Sequence, residues 1–381
     1  MNFLEAIFNY IKDIYTERLP YFPSNIRISL LVILFCTIAV IELYTFITFR
    51  RIYQNNQEKK ARCWQEHIDN MLANLIIFND SDDADEIAEH FYPRLKKLPL
   101  NNTIVSNILV NQILTYHKNF TGRTRKVLSI LYRMLNLDKK PKKNITNKNW
   151  EVKIEAIREA AEMGLKEMTG QIIKYTDDEN ALLRMEAQTA YIKFSKKDPF
   201  RFLDRAQEQI LDWHQVVLFE IITKNKNLVI PSFSKWLRSP NDTVIMLCLK
   251  LIEHFMQFDA AEEVQLLLKH HNPQIVKKSV EIIGKLELES AEKHMFEIYF
   301  DHSEEIKLEI LNSLGKISSG NYDDFLASRI YSSNPKIKLA ALYAIRKNPK
   351  DGKLKLQDIY NQATVENKAV IKHVLDSRIK Q

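Results

Sequence analysis

The sequence predicts an all-α protein in which a single transmembrane helix precedes an α-solenoid of stacked helix pairs. Three observations lead to this fold class. An apolar motif recurs every 31 residues or so, an apolar run fills residues 28–49, and glycine and proline are scarce, at 7 and 11 of 381 residues. A fixed period of this length is typical of helical repeats, whose units bury their apolar stripes against their neighbours.

Residues 1–27 form an N-terminal amphipathic segment. Apolar side chains recur at helical spacing, among them Phe3, Ile7 and Ile14, until Pro20 and Pro23 interrupt the pattern. Such a pattern predicts a short helix with one apolar face. We expect this helix to lie on the membrane interface, and docking onto a partner is the alternative.

Residues 28–49 are predicted to be the transmembrane helix. They contain a single charged side chain, Glu42. A helix of this length reaches about 33 Å, which is enough to cross a bilayer. A cleaved signal peptide fits less well, because the apolar run is long and no small-residue cleavage site follows; a buried core helix is the other alternative. Glu42 is expected to pair or snorkel near the inner interface, or to contact a partner's membrane helix.

Cations follow the span more densely than they precede it. Arg50 and Arg51 stand directly behind it, with more cations by residue 62, whereas the cations before it are offset by acidic residues. Because the heavier cluster stays inside, the N-terminus is predicted outside and residues 50–381 in the cytoplasm, at the inner membrane of a bacterium. Three widely spaced cysteines agree with a reducing compartment.

Residues 50–137 are predicted to be the helical N-terminal part of the solenoid, as degenerate repeats or as a cap. Apolar spacing indicates helices at 63–78, 84–95, 104–116 and 125–135. Residues 138–148 then place five lysines around Pro141 and are predicted to be a solvated basic loop. Contact with anionic lipid or an acidic partner is the alternative for this loop.

Residues 149–381 carry the repeated motif and a C-terminal capping helix at 366–379. The anchors Ile275, Ile306 and Ile337 lie 31 residues apart, and the same step backwards reaches Val244. Asn or Ser before an anchor suits a helix start, Pro fits the first turn, and apolar residues four and seven positions later form one inward stripe. A shorter second helix follows, for example at 291–299.

Two features of the repeats need separate mention. Gly164, Gly284 and Gly315 lie where the first helix of their repeat is predicted to stop. The repeat around Trp213 departs from the pattern, because Val216 takes an apolar position and no small residue follows.

The motif resembles the HEAT repeat in its short form of about 30 residues, as found in the phycobilisome-lyase-like group. The resemblance covers residues 149–363. It implies a curved α-solenoid with a binding surface, usually the concave one, and it implies no single activity.

In HEAT-like stacks the second helices line the concave side, and cations recur on the predicted second helices. The candidate binding residues are five cations, called the basic strip, and one neighbouring aromatic: Lys174, Arg205, Lys235, Trp236, Arg238 and Lys269. We predict that the basic strip receives an acidic segment of a partner. An ordinary solvated face is the alternative, and Trp236 is either an interface anchor or a core residue.

Catalytic signatures are missing from the sequence. It has no Gly-rich phosphate loop, no G-x-S-x-G, no H-E-x-x-H and no C-x-x-C. Deoxyhypusine hydroxylase, which is similar in helical-repeat architecture, binds iron through His-Glu pairs, but here the order is reversed, as in Glu253-His254. His270 and His271 are expected to be solvent-exposed or capping groups. No catalytic residue, metal site or cofactor is predicted.

The sequence therefore predicts a non-enzymatic scaffold that binds partner proteins at the cytoplasmic face of a membrane, with bacterial envelope or polysaccharide machinery as the expected client. One alternative is a HEAT-type metal-dependent hydroxylase or lyase-like enzyme. The other is a nucleic-acid-binding solenoid, which a net charge of only +7 disfavours.

Overall fold

The computed structural model describes residues 9, 12, 21, 23–77, 83–195, 197–348 and 351–376. Regular structure in these residues is helical, which confirms the all-α prediction. Contacts divide the chain into a unit ending at Leu137 and a unit beginning at Asp138. The α-helices are α1 (Ser24–Ile77), α2 (Ala84–Lys96), α3 (Thr103–Asn119), α4 (Arg123–Met134), α5 (Lys139–Asn144), α6 (Trp150–Met163), α7 (Thr169–Ile172), α8 (Ala181–Phe194), α9 (Asp212–Lys224), α10 (Asp242–Phe255), α11 (Ala261–Leu266), α12 (Pro273–Lys285), α13 (Glu292–Ile298), α14 (Glu304–Ile317), α15 (Asp323–Ser328), α16 (Pro335–Lys347), α17 (Gly352–Gln362) and α18 (Val365–Leu375).

One continuous helix dominates the first unit. α1 joins the predicted span at 28–49 to the predicted helix at 63–78, as far as Ile77, without a break. Ile68, Leu72 and Leu75 in its last turns are buried, and α1 packs on α3 while α2 packs on α4. Most of the amphipathic segment predicted for residues 1–27 lies outside the described residues.

The basic segment at 138–148 is not the solvated loop predicted from its composition. Residues 139–144 form α5, in which Pro141 is buried, and Ile145 follows with no exposed surface. Lys142 pairs with the carboxylates of Asp138 and Glu167, at 2.5 and 3.0 Å. Proline is tolerated in the first turn of a helix. Burial of Pro141 and Ile145 therefore overrides the polar composition, and α5 packs on α6.

From Trp150 onward the chain is a helical repeat, in which a long first helix alternates with a short second element. The first helices are α6, α8, α9, α10, α12, α14 and α16, and successive ones contact each other. The second elements contain short α-helices and 3-10 turns; the one predicted at 291–299 is a turn at Glu289–Ala291 followed by α13. The predicted capping helix is α18, and residues 377–379 of that prediction lie outside the described residues.

An asparagine caps most first helices, and three of these asparagines also link their repeat to the one before it. Asn149, Asn180, Asn241, Asn272 and Asn334 each accept a hydrogen bond from the backbone two residues ahead and so cap their own helix. The amide nitrogen of Asn241 also donates to three carbonyls of the preceding repeat, at 2.9–3.3 Å. The amide nitrogens of Asn272 and Asn334 each donate to a carboxylate one repeat back, at 2.7 Å. The 31-residue period is therefore a period of inter-repeat hydrogen bonds as well as of apolar anchors.

The repeat around Trp213 places its inward stripe on different residues from those predicted. α9 buries His214, Gln215, Leu218 and Ile222, whereas Val216 is 62% exposed. The residue before α9 is Leu211, which offers no side-chain cap. The shifted stripe places two polar side chains, His214 and Gln215, in the interior.

Two of the three glycines do not stop their helix. Gly164 ends α6 in the left-handed conformation, as predicted, but Gly284 and Gly315 lie inside α12 and α14. A Cβ atom at Gly315 would lie 2.8 Å from the Cα of Ala344, and one at Gly284 would lie 2.8 Å from the Cα of Ser313. These glycines let neighbouring first helices approach backbone to backbone.

We expect Gly315→Ala to destabilise the repeats by about 2 kcal/mol, because the backbone of α16 must move to admit one methyl group. The intrinsic helix propensity of alanine, worth up to about 1 kcal/mol over glycine, acts in the opposite direction and is outweighed. Gly170→Ala is the matched control, since nothing lies within 4 Å of a Cβ atom there. Urea unfolding followed by tryptophan fluorescence measures both changes, and equal midpoints would contradict the expectation.

Candidate functional site

The structure places the cations of the basic strip on or next to successive second elements. Lys174 lies in the turn Ile173–Tyr175, Arg205 follows Arg201–Asp204, Lys235 and Arg238 lie in Ser234–Arg238, and Lys269 ends Leu267–Lys269. All five side chains are exposed. Binding of an acidic partner by the basic strip stays a prediction.

Two cations of the basic strip already have acidic partners in neighbouring repeats. Lys235 lies 3.5 Å from a carboxylate oxygen of Asp204, and Arg238 donates from Nε and Nη2 to both oxygens of Glu263, at 2.9 and 2.6 Å. The hydrogen bonds from Arg238 lower the pKa of the Glu263 carboxyl. These pairs join consecutive second elements, so part of the positive charge of the basic strip is compensated within the chain.

Trp236 belongs to the core rather than to the binding surface. It is 4% exposed, and its indole nitrogen donates to Asp204 at 2.8 Å. Its ring packs against Phe200 and Phe233, with centroids 6.1 and 5.7 Å apart. Of the two roles that the sequence allows for Trp236, the structure favours the core residue over the interface anchor, because the ring is buried while Lys235 and Arg238 beside it are exposed.

We expect the double variant Lys235→Gln/Arg238→Gln to lower the unfolding midpoint only slightly, since exposed ion pairs add little stability. The loss should disappear in about 1 M salt, where the Debye length falls to about 3 Å. Lys174→Gln/Lys269→Gln is the control, because neither residue pairs with an acid within the part of the chain that the structure describes. A loss of stability in the first variant that persists in about 1 M salt would show that these pairs do more than join two exposed turns.

A second group on the second elements was not predicted, and we call it the aromatic–arginine patch: Phe296, Phe300, Tyr322, Phe325 and Arg329. Phe296 packs edge-to-face on Phe325 with centroids 4.9 Å apart, and it lies 5.4 Å from Tyr322. The guanidinium carbon of Arg329 lies 5.5 Å from the ring centre of Phe300 and 5.3 Å from that of Phe325. Phe300 is 55% exposed. The sequence contains a signal for this patch, because its aromatic residues recur on two consecutive second elements and Arg329 follows the last of them in the chain.

A groove on the first helices offers a further apolar surface. It measures about 570 Å³, and its lining combines Val216, Phe219 and His254 with four polar or charged residues: Gln215, Lys250, Glu253 and Lys285. Phe219 meets the ring of His254 edge-to-face, with centroids 5.2 Å apart. This groove results from the shifted stripe of α9, which turns Val216 outward.

One group among the described residues could present three metal-ligand atoms: Asp242, His270 and His271, within 4.8 Å of one another. The backbone N–H of Asn272 donates to Nδ1 of His270 at 3.1 Å. A neutral imidazole has one acceptor nitrogen, so Nε2 of His270 carries the proton and has no lone pair for a metal. Asp242 in turn accepts a hydrogen bond from Asn272 at 2.7 Å. The group therefore fits an inter-repeat hydrogen-bond cluster better than a metal site.

The predicted membrane residues Glu42, Arg50 and Arg51 all lie on α1 and are exposed. Large apolar side chains around them are exposed too, for example Phe35 at 74% and Phe49 at 73%. In the described part of the chain, α1 is the one helix long and apolar enough to cross a membrane, and none of its most apolar window is buried.

No protein-family model and no curated protein matches the chain. Among solved structures, the chain is similar to an archaeal HEAT-like repeats protein from Thermococcus onnurineus NA1, with 15% identity, a TM-score of 0.30, and coverage of 63% of this chain and 95% of that one. It is also similar to the complex of CpcE and CpcF of phycocyanin lyase from Nostoc sp. PCC7120, with 12% identity, a TM-score of 0.23, and coverage of 79% and 98%. An engineered protein matches with 13% identity, a TM-score of 0.34, and coverage of 80% and 98%. The description of the chain as a helical repeat protein rests on its own helix pairs.

Proposed function

We propose that the chain is a membrane-anchored scaffold, in which HEAT-type repeats bind partner proteins at the cytoplasmic face of the membrane. The observation that carries the proposal is α1. Its apolar residues between 28 and 49 are largely exposed, and the same helix continues without a break into the bundle of the first unit. A soluble protein rarely exposes so large a continuous apolar surface, and a bilayer would cover it.

The continuous helix also suggests how the anchor is connected. Residues 50–67 of α1 are mostly exposed, and burial begins at Ile68. At 1.5 Å per residue this stretch is roughly 27 Å long. A helical connection of this kind would hold the bundle away from the bilayer surface more firmly than a flexible linker would. The proposed orientation, with the N-terminus outside, is supported by Arg50 and Arg51 directly after the apolar run.

The first experiment tests the anchor with the full-length chain expressed in a bacterium. Ile33→Lys/Ile38→Lys places two charges in the apolar run, each costing about 2.5–3.5 kcal/mol at the centre of a membrane helix. This variant should leave the carbonate-resistant membrane fraction, whereas Ile52→Lys/Tyr53→Lys, outside the run, should remain in it. Retention of the first variant in the membrane would contradict the proposal.

The second experiment tests the orientation and the binding role. Protease added to spheroplasts from outside should spare residues after 50, and cleavage within the repeats would reverse the orientation. The scaffold is proposed to act by binding, with bacterial envelope or polysaccharide machinery as its client. Crosslinking in intact cells, followed by mass spectrometry, should recover membrane-machinery proteins with the wild-type chain and not with the Ile33→Lys/Ile38→Lys variant.

A further inference from the structure

We propose that the aromatic–arginine patch is a docking site for a partner segment in which a carboxylate side chain lies beside an aromatic side chain. This inference rests on the proposed function, because it names the surface and the partner chemistry of the scaffold. It assigns recognition to the second elements of the repeats that begin with α12 and α14, rather than to the basic strip.

Arg329 supplies the first step of the argument. Its side chain is half-buried, and its Nε donates to the hydroxyl of Ser328 at 3.1 Å. No acidic residue forms an ion pair with it in the part of the chain that the structure describes. Lys235 and Arg238, which share one earlier second element, both have acidic partners. Arg329 is therefore a cation whose charge is available to a ligand.

The rings around Arg329 supply the second step. The guanidinium carbon lies within 6 Å of three ring centres, those of Tyr299, Phe300 and Phe325. Ser328 accepts from Nε, and the hydroxyl of Tyr299 also contacts the guanidinium, which leaves N–H groups of the Nη atoms as the donors for a ligand. Such a planar fork matches a carboxylate, which can accept two parallel hydrogen bonds.

The exposed apolar surface supplies the third step. Phe300 is 55% exposed, and it contacts the half-buried rings of Phe296 and Phe325, each with centroids 6.2 Å away. Tyr331, two residues after Arg329, is 62% exposed. Aromatic residues and arginine are the types that dominate binding energy in protein interfaces. A ligand that pairs with the guanidinium of Arg329 and also covers the exposed rings carries a carboxylate and an aromatic side chain next to each other.

The test uses the full-length chain in detergent micelles and a fluorescein-labelled peptide of alternating aspartate and phenylalanine. Fluorescence anisotropy should show it binding at least about tenfold more tightly than the matched asparagine–phenylalanine peptide, because the charged hydrogen bonds to Arg329 are lost in the latter. Arg329→Gln and Phe300→Ser should each weaken binding of the first peptide by about tenfold or more. Arg329→Lys keeps the charge but loses the fork, and should weaken it as well.

Arg205→Gln is the control, since Arg205 is an exposed cation on another second element, and its binding should equal that of the wild type. Tryptophan fluorescence and sedimentation velocity check that each variant stays folded and keeps its oligomeric state. The proposal is overturned if the aspartate peptide fails to bind the folded wild type, if both peptides bind equally, or if Arg329→Gln has no effect. It is also overturned if Arg329→Gln changes the sedimentation coefficient, since a second copy then occupies the patch. Membrane retention is measured separately, so failure of the docking site leaves the anchor proposal intact.

Discussion

Ile310→Asp should unfold much of the repeat stack, with a loss of roughly 4 kcal/mol or more in the free energy of unfolding. Ile310 has no exposed surface and lies in the middle of α14, which packs between α12 and α16. The substitution removes a buried apolar side chain, which alone costs about 2–5 kcal/mol. It also buries a carboxylate that has no partner, and such changes belong to the largest single-residue effects known in proteins.

The measurement is urea unfolding of the full-length chain in detergent, followed by the fluorescence of its four tryptophans, of which Trp236 is buried. Stability in stacked repeats depends on contacts between nearest neighbours, so loss of α14 should spread to the repeats on both sides. Leu354→Asp is the matched control, because Leu354 is 69% exposed on α17 and its replacement should change stability by less than about 0.5 kcal/mol. Similar midpoints for the two variants would mean that α14 is not part of the core.

The regular part of this fold follows from local sequence patterns. The anchors Ile275, Ile306 and Ile337 are all buried on first helices. Asn272 caps the helix that carries Ile275, and Asn334 caps the helix that carries Ile337. These features were predictable because a helix cap and an inward stripe each depend on residues within one or two turns. The apolar span at 28–49 was visible for the same reason, and its role as an anchor stays a proposal.

Features that depend on contacts between repeats were not predictable in the same way. The sequence cannot show that Gly315 meets the backbone of α16, or that Trp236 turns toward Phe200, because these partners lie about one repeat away. Composition misled the prediction at residues 138–148, where two apolar side chains, Pro141 and Ile145, decide the structure. Exposed sites are harder still: the basic strip was chosen by charge, yet the partners of Lys235 and Arg238 appear only in the folded chain.

The shifted repeat at α9 creates a buried polar group with consequences for pH. His214 is 2% exposed and lies in the first turn of α9, and its Nε2 has no hydrogen-bond partner in the described part of the chain. Arg184, also buried, donates from its Nη atoms to carbonyls of Asp178, Glu179 and Gln209. Burial and, to a smaller extent, the charge of Arg184 together lower the pKa of His214 to about 4. The positive end of the α9 dipole also disfavours the protonated ring.

Acidification should therefore destabilise the repeats through His214. Its folded pKa of about 4 lies below the ordinary value of 6.5, so the unfolded chain binds the proton more tightly. The free energy of unfolding that depends on the neutral ring is fully present above pH 6.5, and it is lost as the pH falls toward 4. Since one pKa unit corresponds to about 1.4 kcal/mol, the loss across this window is roughly 3 kcal/mol.

His214→Gln removes the titrating ring and should reduce the difference in unfolding free energy between pH 7 and pH 4 by roughly that 3 kcal/mol relative to the wild type. Carboxylates that also titrate in this window, such as Glu253 and Glu263, are present in both chains, so the comparison isolates the histidine. His294→Gln, which removes an exposed histidine on α13, is the control and should leave the pH dependence of the wild type unchanged. If the two variants lose stability equally between pH 7 and pH 4, then the ring of His214 takes up its proton in the folded chain, and the polar interior at the start of α9 must open to water.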